Sequence, residues 1–101
     1  MWIFLSDAYL SIVAVPNEPD KLLVRSRFPK DIFQVFPAAK LFTKPVYDYK
    51  YRALVSRVEV AQVIGDQLLN IKYTNFKDSV KQVRRHDAYF DVWDIMHRLQ
   101  K

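Results

Sequence analysis

Tyr47-Asp48-Tyr49-Lys50-Tyr51-Arg52-Ala53-Leu54-Val55-Ser56 is the most regular β signal in the chain. Tyr47, Tyr49, Tyr51, Ala53 and Val55 alternate with Asp48, Lys50, Arg52, Leu54 and Ser56. A two-residue period therefore predicts one aromatic face and one mostly charged face. Ser56-Arg57-Val58-Glu59 then has the Ser-x-x-Glu form of a capping box, where hydroxyl and carboxylate satisfy two backbone N–H groups left free at a helix start. Val60, Ile64, Leu68 and Ile71 follow at helical spacing and predict the buried stripe of a helix from about Val58 to Asn70. Gly65, the only glycine, costs that helix about 1 kcal/mol relative to Ala, so its presence points to close packing against another element.

Upstream, Trp2-Ile3-Phe4-Leu5 and Tyr9-Leu10-Ser11-Ile12-Val13 are short runs of β-branched and aromatic residues around the turn-prone Ser6-Asp7, which reads as a hairpin. Pro16-Asn17-Glu18-Pro19-Asp20 cannot continue a strand and belongs at the surface. Lys21 to Arg27 is the next strand, with Leu23, Arg25 and Arg27 on one face and Leu22, Val24 and Ser26 on the other. Pro29 suits a first helical turn, and Ile32, Phe33, Val35 and Phe36 give a brief helix ended by Pro37. Lys40-Leu41-Phe42-Thr43 is a candidate strand stopped by Pro45.

Downstream, Asn75-Phe76-Lys77-Asp78 can cap a short helix through Val83. A last helix is expected from about Asp87 to Gln100 with Tyr89, Val92, Trp93, Met96 and Leu99 inward. No Gly or Pro separates the two, so residues 75–100 are equally compatible with one bent helix. The order ββ, β, α, ββ, ααα predicts a single α+β domain over residues 1–101, an antiparallel or mixed sheet of about five strands with helices packed on one face.

Composition bounds the chemistry. A chain of 101 residues that is 50% hydrophobic has enough apolar surface to fold without disulfides or metals. Cysteine is absent, which removes thiol nucleophiles and thiolate zinc sites and favours a reducing compartment, the cytoplasm. Met1 to Val15 has no basic segment and is interrupted by Ser6-Asp7, unlike a signal peptide. No run approaches the ~18 apolar residues of a membrane span, so no membrane association is expected. The net charge of +5 and a pI near 9.6 suit an anionic partner. Lys and Arg divide evenly between residues 1–56 and 57–101, so there is no basic tail.

Met1-Trp2-Ile3-Phe4, Ser11-Ile12-Val13, Leu22-Leu23-Val24-Arg25-Ser26-Arg27, Asp48-Tyr49-Lys50-Tyr51-Arg52, Tyr73-Thr74-Asn75-Phe76-Lys77-Asp78-Ser79-Val80 and Ala88-Tyr89-Phe90-Asp91-Val92-Trp93 run through nearly the whole chain. In this set the chain resembles a widespread family of small uncharacterised bacterial and mobile-element proteins. The resemblance implies such an origin and a shared fold, and no activity.

Enzyme chemistry finds little to work with. His86 and His97 are too far apart in sequence for joint metal ligation on one helix. His86 beside Asp87 has no evident nucleophile, although folding could bring Ser6 or Ser11 near. Asp87, Asp91 and Asp94 share a helix face that suits solvent as well as a divalent cation. A single glycine excludes phosphate-cradling and dinucleotide loops, so no cofactor or metal is implied.

Binding chemistry is better represented. Arg25 with Arg27, and Lys50 with Arg52, would gather four cations on the open side of the sheet if their strands are neighbours. The same residues could equally solvate an exposed face and discourage edge pairing. The tyrosine stripe reads either as core or as a stacking surface. A second basic and aromatic segment comprises Lys72, Tyr73, Lys77, Lys81, Arg84 and Arg85. Together these predict a non-enzymatic protein that engages an acidic protein or a nucleoprotein, as a mobile-element inhibitor such as an anti-CRISPR would. Direct binding of nucleic acid is the alternative, and a small hydrolase or nuclease working through His86 a third.

Overall fold

The computed structural model describes residues 1–100. Its order is β1 (Trp2–Phe4), β2 (Tyr9–Ala14), β3 (Lys21–Ser26), α1 (Pro29–Val35), β4 (Phe42–Thr43), β5 (Tyr51–Ser56), α2 (Arg57–Leu69), α3 (Phe76–Ser79) and α4 (Val83–Arg98). The strands form one antiparallel sheet in the order β1-β2-β3-β5-β4, so the protein is α+β. Two compact units are present, one over Met1–Ile71 and a second that begins at Lys72.

In the first unit the register decides which side chains are buried. Ile12 lies opposite Val24, and Val24 opposite Ala53, so these three form one apolar row across β2, β3 and β5. Ile32, Val35 and Phe36 from α1 and its C-terminal cap, together with Val60 of α2, complete the core on that side. Both helices are fastened locally by the residues that begin them. Pro29 opens α1, where its missing N–H costs nothing, and the Ser56 hydroxyl accepts from the Glu59 N–H at 3.3 Å to cap α2. Asp31 is buried in the first turn of α1, and its Oδ2 accepts the Tyr9 N–H at 3.0 Å, tying helix to hairpin. Among the described residues Asn17 alone of the non-glycines takes positive φ, at 65°, in the turn between β2 and β3, where its short amide tolerates the left-handed region.

Several local expectations are corrected. The strand beginning at Tyr47 begins only at Tyr51, because residues 44–50 form the loop of a hairpin. Pro45 cannot donate to a ladder, the Lys44 N–H donates to the Lys50 carbonyl at 2.9 Å, and the Tyr47 N–H to the Lys44 carbonyl at 3.0 Å. Lys40 and Leu41 consequently precede the short β4 without joining it. In α2, Val60, Val63 and Ile64 meet the core, whereas Leu68 and Ile71 are exposed because core packing ends a turn earlier. Gly65 is not held by close packing, since a Cβ built there would meet nothing within 4 Å.

In the second unit α3 and α4 are separate helices. Val80 takes an extended conformation at φ −88°, ψ 106°, which ends α3 before the expected Val83. The Gln82 side chain then accepts the Arg85 N–H at 3.1 Å and starts α4 four residues before Asp87. Of the α4 residues expected inward only Tyr89 is buried, stacked on Phe76 with ring centroids 5.7 Å apart. Val92, Trp93, Met96 and Leu99 are exposed, because the four residues of α3 are too short to cover the C-terminal half of a 16-residue helix.

Candidate protein-binding face

The sheet face opposite α1 and α2 is built from the other half of the strand alternation. Register aligns Trp2 of β1, Ser11 of β2, Arg25 of β3, Arg52 of β5 and Phe42 of β4 in a single row. Strands lie ~4.8 Å apart, so this row spans about 19 Å. Its centre is basic and its two ends, Trp2 and Phe42, are exposed aromatic rings.

Tyr49 is the pivot of the basic centre. Because the loop releases it from the β5 alternation, its ring lies on the arginine side, away from Ala53 and Val55, and it is only 5% exposed. The Arg25 and Arg27 guanidinium carbons stand 4.8 Å and 4.6 Å from the centroid of this one ring. Stacking a weakly hydrated guanidinium on a ring face is favourable and keeps the cation rigid. Arg25 also donates from Nη2 to the Ser11 Oγ at 2.6 Å, and Arg27 from Nη1 to Asp48 Oδ1 at 3.1 Å. Burial alone would lower the pKa of Arg27, but the hydrogen bond and charge of Asp48 outweigh it and raise it.

Arg52 donates from Nε to the Tyr49 carbonyl at 3.1 Å and places its guanidinium 4.8 Å from the Tyr47 ring centre. Arg25 and Arg52 are direct cross-strand partners, and neither is paired with a carboxylate among the described residues. Like charges in that position destabilise a sheet. The stacking on Tyr47 and Tyr49 offsets the repulsion while both Nη groups of Arg52 and Nη1 of Arg25 remain without a protein acceptor among the described residues.

Beside the arginines, the Tyr9 and Tyr49 hydroxyls meet at 2.9 Å and the Phe4 and Tyr9 rings stack at 4.7 Å. Burial, followed by the bond to Tyr49, pushes the Tyr9 phenol well above its ordinary range. Leu54, two residues after Arg52 and on the same face of β5, adds an exposed apolar side chain.

Of the four cations expected to gather here, Arg25, Arg27 and Arg52 do so. Lys50 does not, because it closes the loop before β5 and its ammonium lies 5.5 Å from the centre of the Tyr51 ring, which packs against the core. Lys72, Tyr73, Lys77, Lys81, Arg84 and Arg85 belong to the second unit. There, Lys77 sits 4.6 Å from the Trp93 ring centre, Lys81 donates to the Asp78 carbonyl at 2.9 Å, and Arg85 donates to the Tyr89 hydroxyl at 3.1 Å. Tyr73 packs on Phe76, and Lys72 and Arg84 are exposed.

Sequence reading missed Trp2, Phe4, Tyr9, Ser11 and Phe42 as members of this face. The alternation of Trp2 with Phe4 and of Tyr9 with Ser11 carried the signal, but only the pairing register joins it to Arg25 and Arg52. His86 Nδ1 lies 3.5 Å from Asp87 Oδ1 at the surface, and His97 stacks on Trp93. Among the described residues no three His, Cys, Asp or Glu side chains converge as metal ligands would, and no helix is long and apolar enough to cross a membrane. No family model, curated protein or solved structure matches the chain.

Proposed function

We propose that the protein is a non-enzymatic binding protein, working in a reducing compartment, which holds acidic side chains of a partner protein against the Arg25–Arg52 centre of its sheet. The observation that carries this reading is the pair itself: two arginines opposed across neighbouring strands, neither paired with a carboxylate of the described residues. A carboxylate from a partner would relieve the repulsion and take the unused Nη donors in the planar, two-pronged geometry that guanidinium groups favour. Trp2, Phe42 and Leu54 supply apolar contact around the charge, and Trp, Tyr and Arg are the residue types that dominate interface energetics. A mobile-element inhibitor of the anti-CRISPR kind, directed at the protein part of a nucleoprotein, would use such a face.

Nucleic acid is the second reading, favoured by the arginine row. Against it, Tyr49 is closed off beneath two guanidinium groups and has no free face for a base. The two separate by titration of the labelled protein with an oligoglutamate peptide and with single-stranded DNA and RNA of mixed sequence. The peptide is expected to shift the resonances of Arg25, Arg52 and Trp2, and Arg25→Glu with Arg52→Glu to abolish the shifts. Binding of oligonucleotide that weakens steeply with salt, with no response to the peptide, would replace this reading by the nucleic-acid one.

A further inference from the structure

We propose that α4 pairs antiparallel with α4 of a second copy of the chain. Ala88, Val92, Ile95 and Leu99 follow one another at spacings of four, three and four, the repeat that keeps one seam of a helix facing a partner helix. Leu99, the C-terminal cap, keeps right-handed helical φ and ψ and so continues the seam. Burial runs opposite to what this pattern demands of a solitary helix: Val92 is 39%, Ile95 57% and Leu99 75% exposed. Four seam positions with water over them are unfinished packing.

A second copy fits because the seam is complementary to itself. Turned end for end, α4 sets Val92 against the partner's Ile95 and the small Ala88 against the partner's large Leu99, each twice by symmetry. Charge selects the same arrangement. Asp91 and Arg98 flank the seam on one side, seven residues apart; Asp91 has no cation partner among the described residues, and the exposed Arg98 donates from one Nη to Asp94 of its own helix at 3.0 Å, which leaves its other nitrogens for a second carboxylate. In an antiparallel pair the same flank of each helix meets its counterpart, which brings Asp91 opposite the partner's Arg98. A parallel pair would set Asp91 against the partner's Met96 flank instead. The seam is shorter than the three or four heptads of a free-standing coiled coil, so the dimer is reversible and depends on concentration.

Absence of cysteine from the chain allows a direct test on the full-length protein. Ala88→Cys and Leu99→Cys variants are prepared separately, their folding is checked by circular dichroism, and they are oxidised alone and mixed. The mixture is expected to form a disulfide-linked heterodimer. Each variant alone is expected to stay uncrosslinked, since the antiparallel pairing holds Ala88 and its symmetry mate about 16 Å apart at 1.5 Å of rise per residue. In sedimentation velocity across the micromolar range the natural protein is expected to double in mass. Ile95→Glu is expected to stay monomeric, and Asp91→Arg to weaken association several-fold. A natural protein that remains monomeric throughout that range, or Ala88→Cys crosslinking to itself as readily as to Leu99→Cys, overturns the proposal.

Discussion

The hydroxyls of Tyr9 and Tyr49 share one hydrogen bond, 2.9 Å long, across the boundary between the β1–β2 hairpin and the β4–β5 loop. Tyr49 in turn supports Arg25 and Arg27 on its ring. The geometry of the basic face is therefore coupled to the Tyr9 phenol, whose burial disfavours its charged form. Since the Tyr9 pKa is raised on folding, the unfolded chain releases this proton first, at the ordinary phenol value of about 10. The contribution is fully present below that pH and is lost as pH rises above it. Urea unfolding at a series of alkaline pH values is expected to show a decline in stability that Tyr9→Phe makes shallower. Absorbance titration of phenolate should find one tyrosine that ionises only when the protein unfolds.

Arg25 and Arg52 oppose each other across two strands but are not equivalent. Arg25 donates a hydrogen bond from Nη2 to the buried Ser11 hydroxyl and covers the buried Tyr49 ring, so Arg25→Ala leaves a buried polar group short of a partner. A loss of about 1–3 kcal/mol is expected. Arg52→Ala removes a bond to a carbonyl and a contact with an exposed ring but also ends the like-charge repulsion, so a change below about 1 kcal/mol is expected. Chemical denaturation of the two variants side by side distinguishes them, and equal losses would contradict the geometry.

Alternation and capping made most of the first unit readable. Leu22, Val24 and Ser26 against Leu23 and Arg25 follow the predicted faces, and Ser56 caps α2 where Ser-x-x-Glu placed it. The candidate face was only half legible, because alternation within one strand does not say which strands are neighbours: Arg25 meets Arg52 through β3–β5 pairing, and Trp2 joins them through two further strands. A period of two continues through Tyr47 and Tyr49 and places Tyr49 on the side of Ala53 and Val55, but Pro45 commits the backbone to a loop that turns its ring to the other side. In α4 the helical period was correct, but periodicity marks an apolar face without saying that anything in the same chain covers it.

Gly65 offers a clean separation of propensity from packing. It sits mid-helix in α2 with negative φ, and no atom lies where its Cβ would go. Gly65→Ala is therefore expected to stabilise the first unit by about 1 kcal/mol, the difference in helix propensity, with no offsetting clash. Thermal unfolding followed by circular dichroism would record a higher midpoint. Destabilisation would mean that this position approaches something in solution that requires the missing side chain.

Asp31 holds α1 to the hairpin through a different kind of contact, a buried carboxylate that accepts the Tyr9 N–H at 3.0 Å. Its place in the first turn of α1 also sets its negative charge near the helix's positive end. Asp31→Ala leaves that backbone donor buried without an acceptor, at an expected cost of about 1–3 kcal/mol. Because Tyr9 stacks on Phe4 and bonds to Tyr49, the loss should reach the basic face as well as the core. Amide hydrogen exchange provides the readout: the Tyr9 amide should lose protection in Asp31→Ala, while amides of the central β3–β5 pairing, fixed by the Val24–Ala53 row, should follow only the change in global stability. An Asp31→Ala protein in which Tyr9 remains as protected as before would show that the carboxylate is dispensable for this junction.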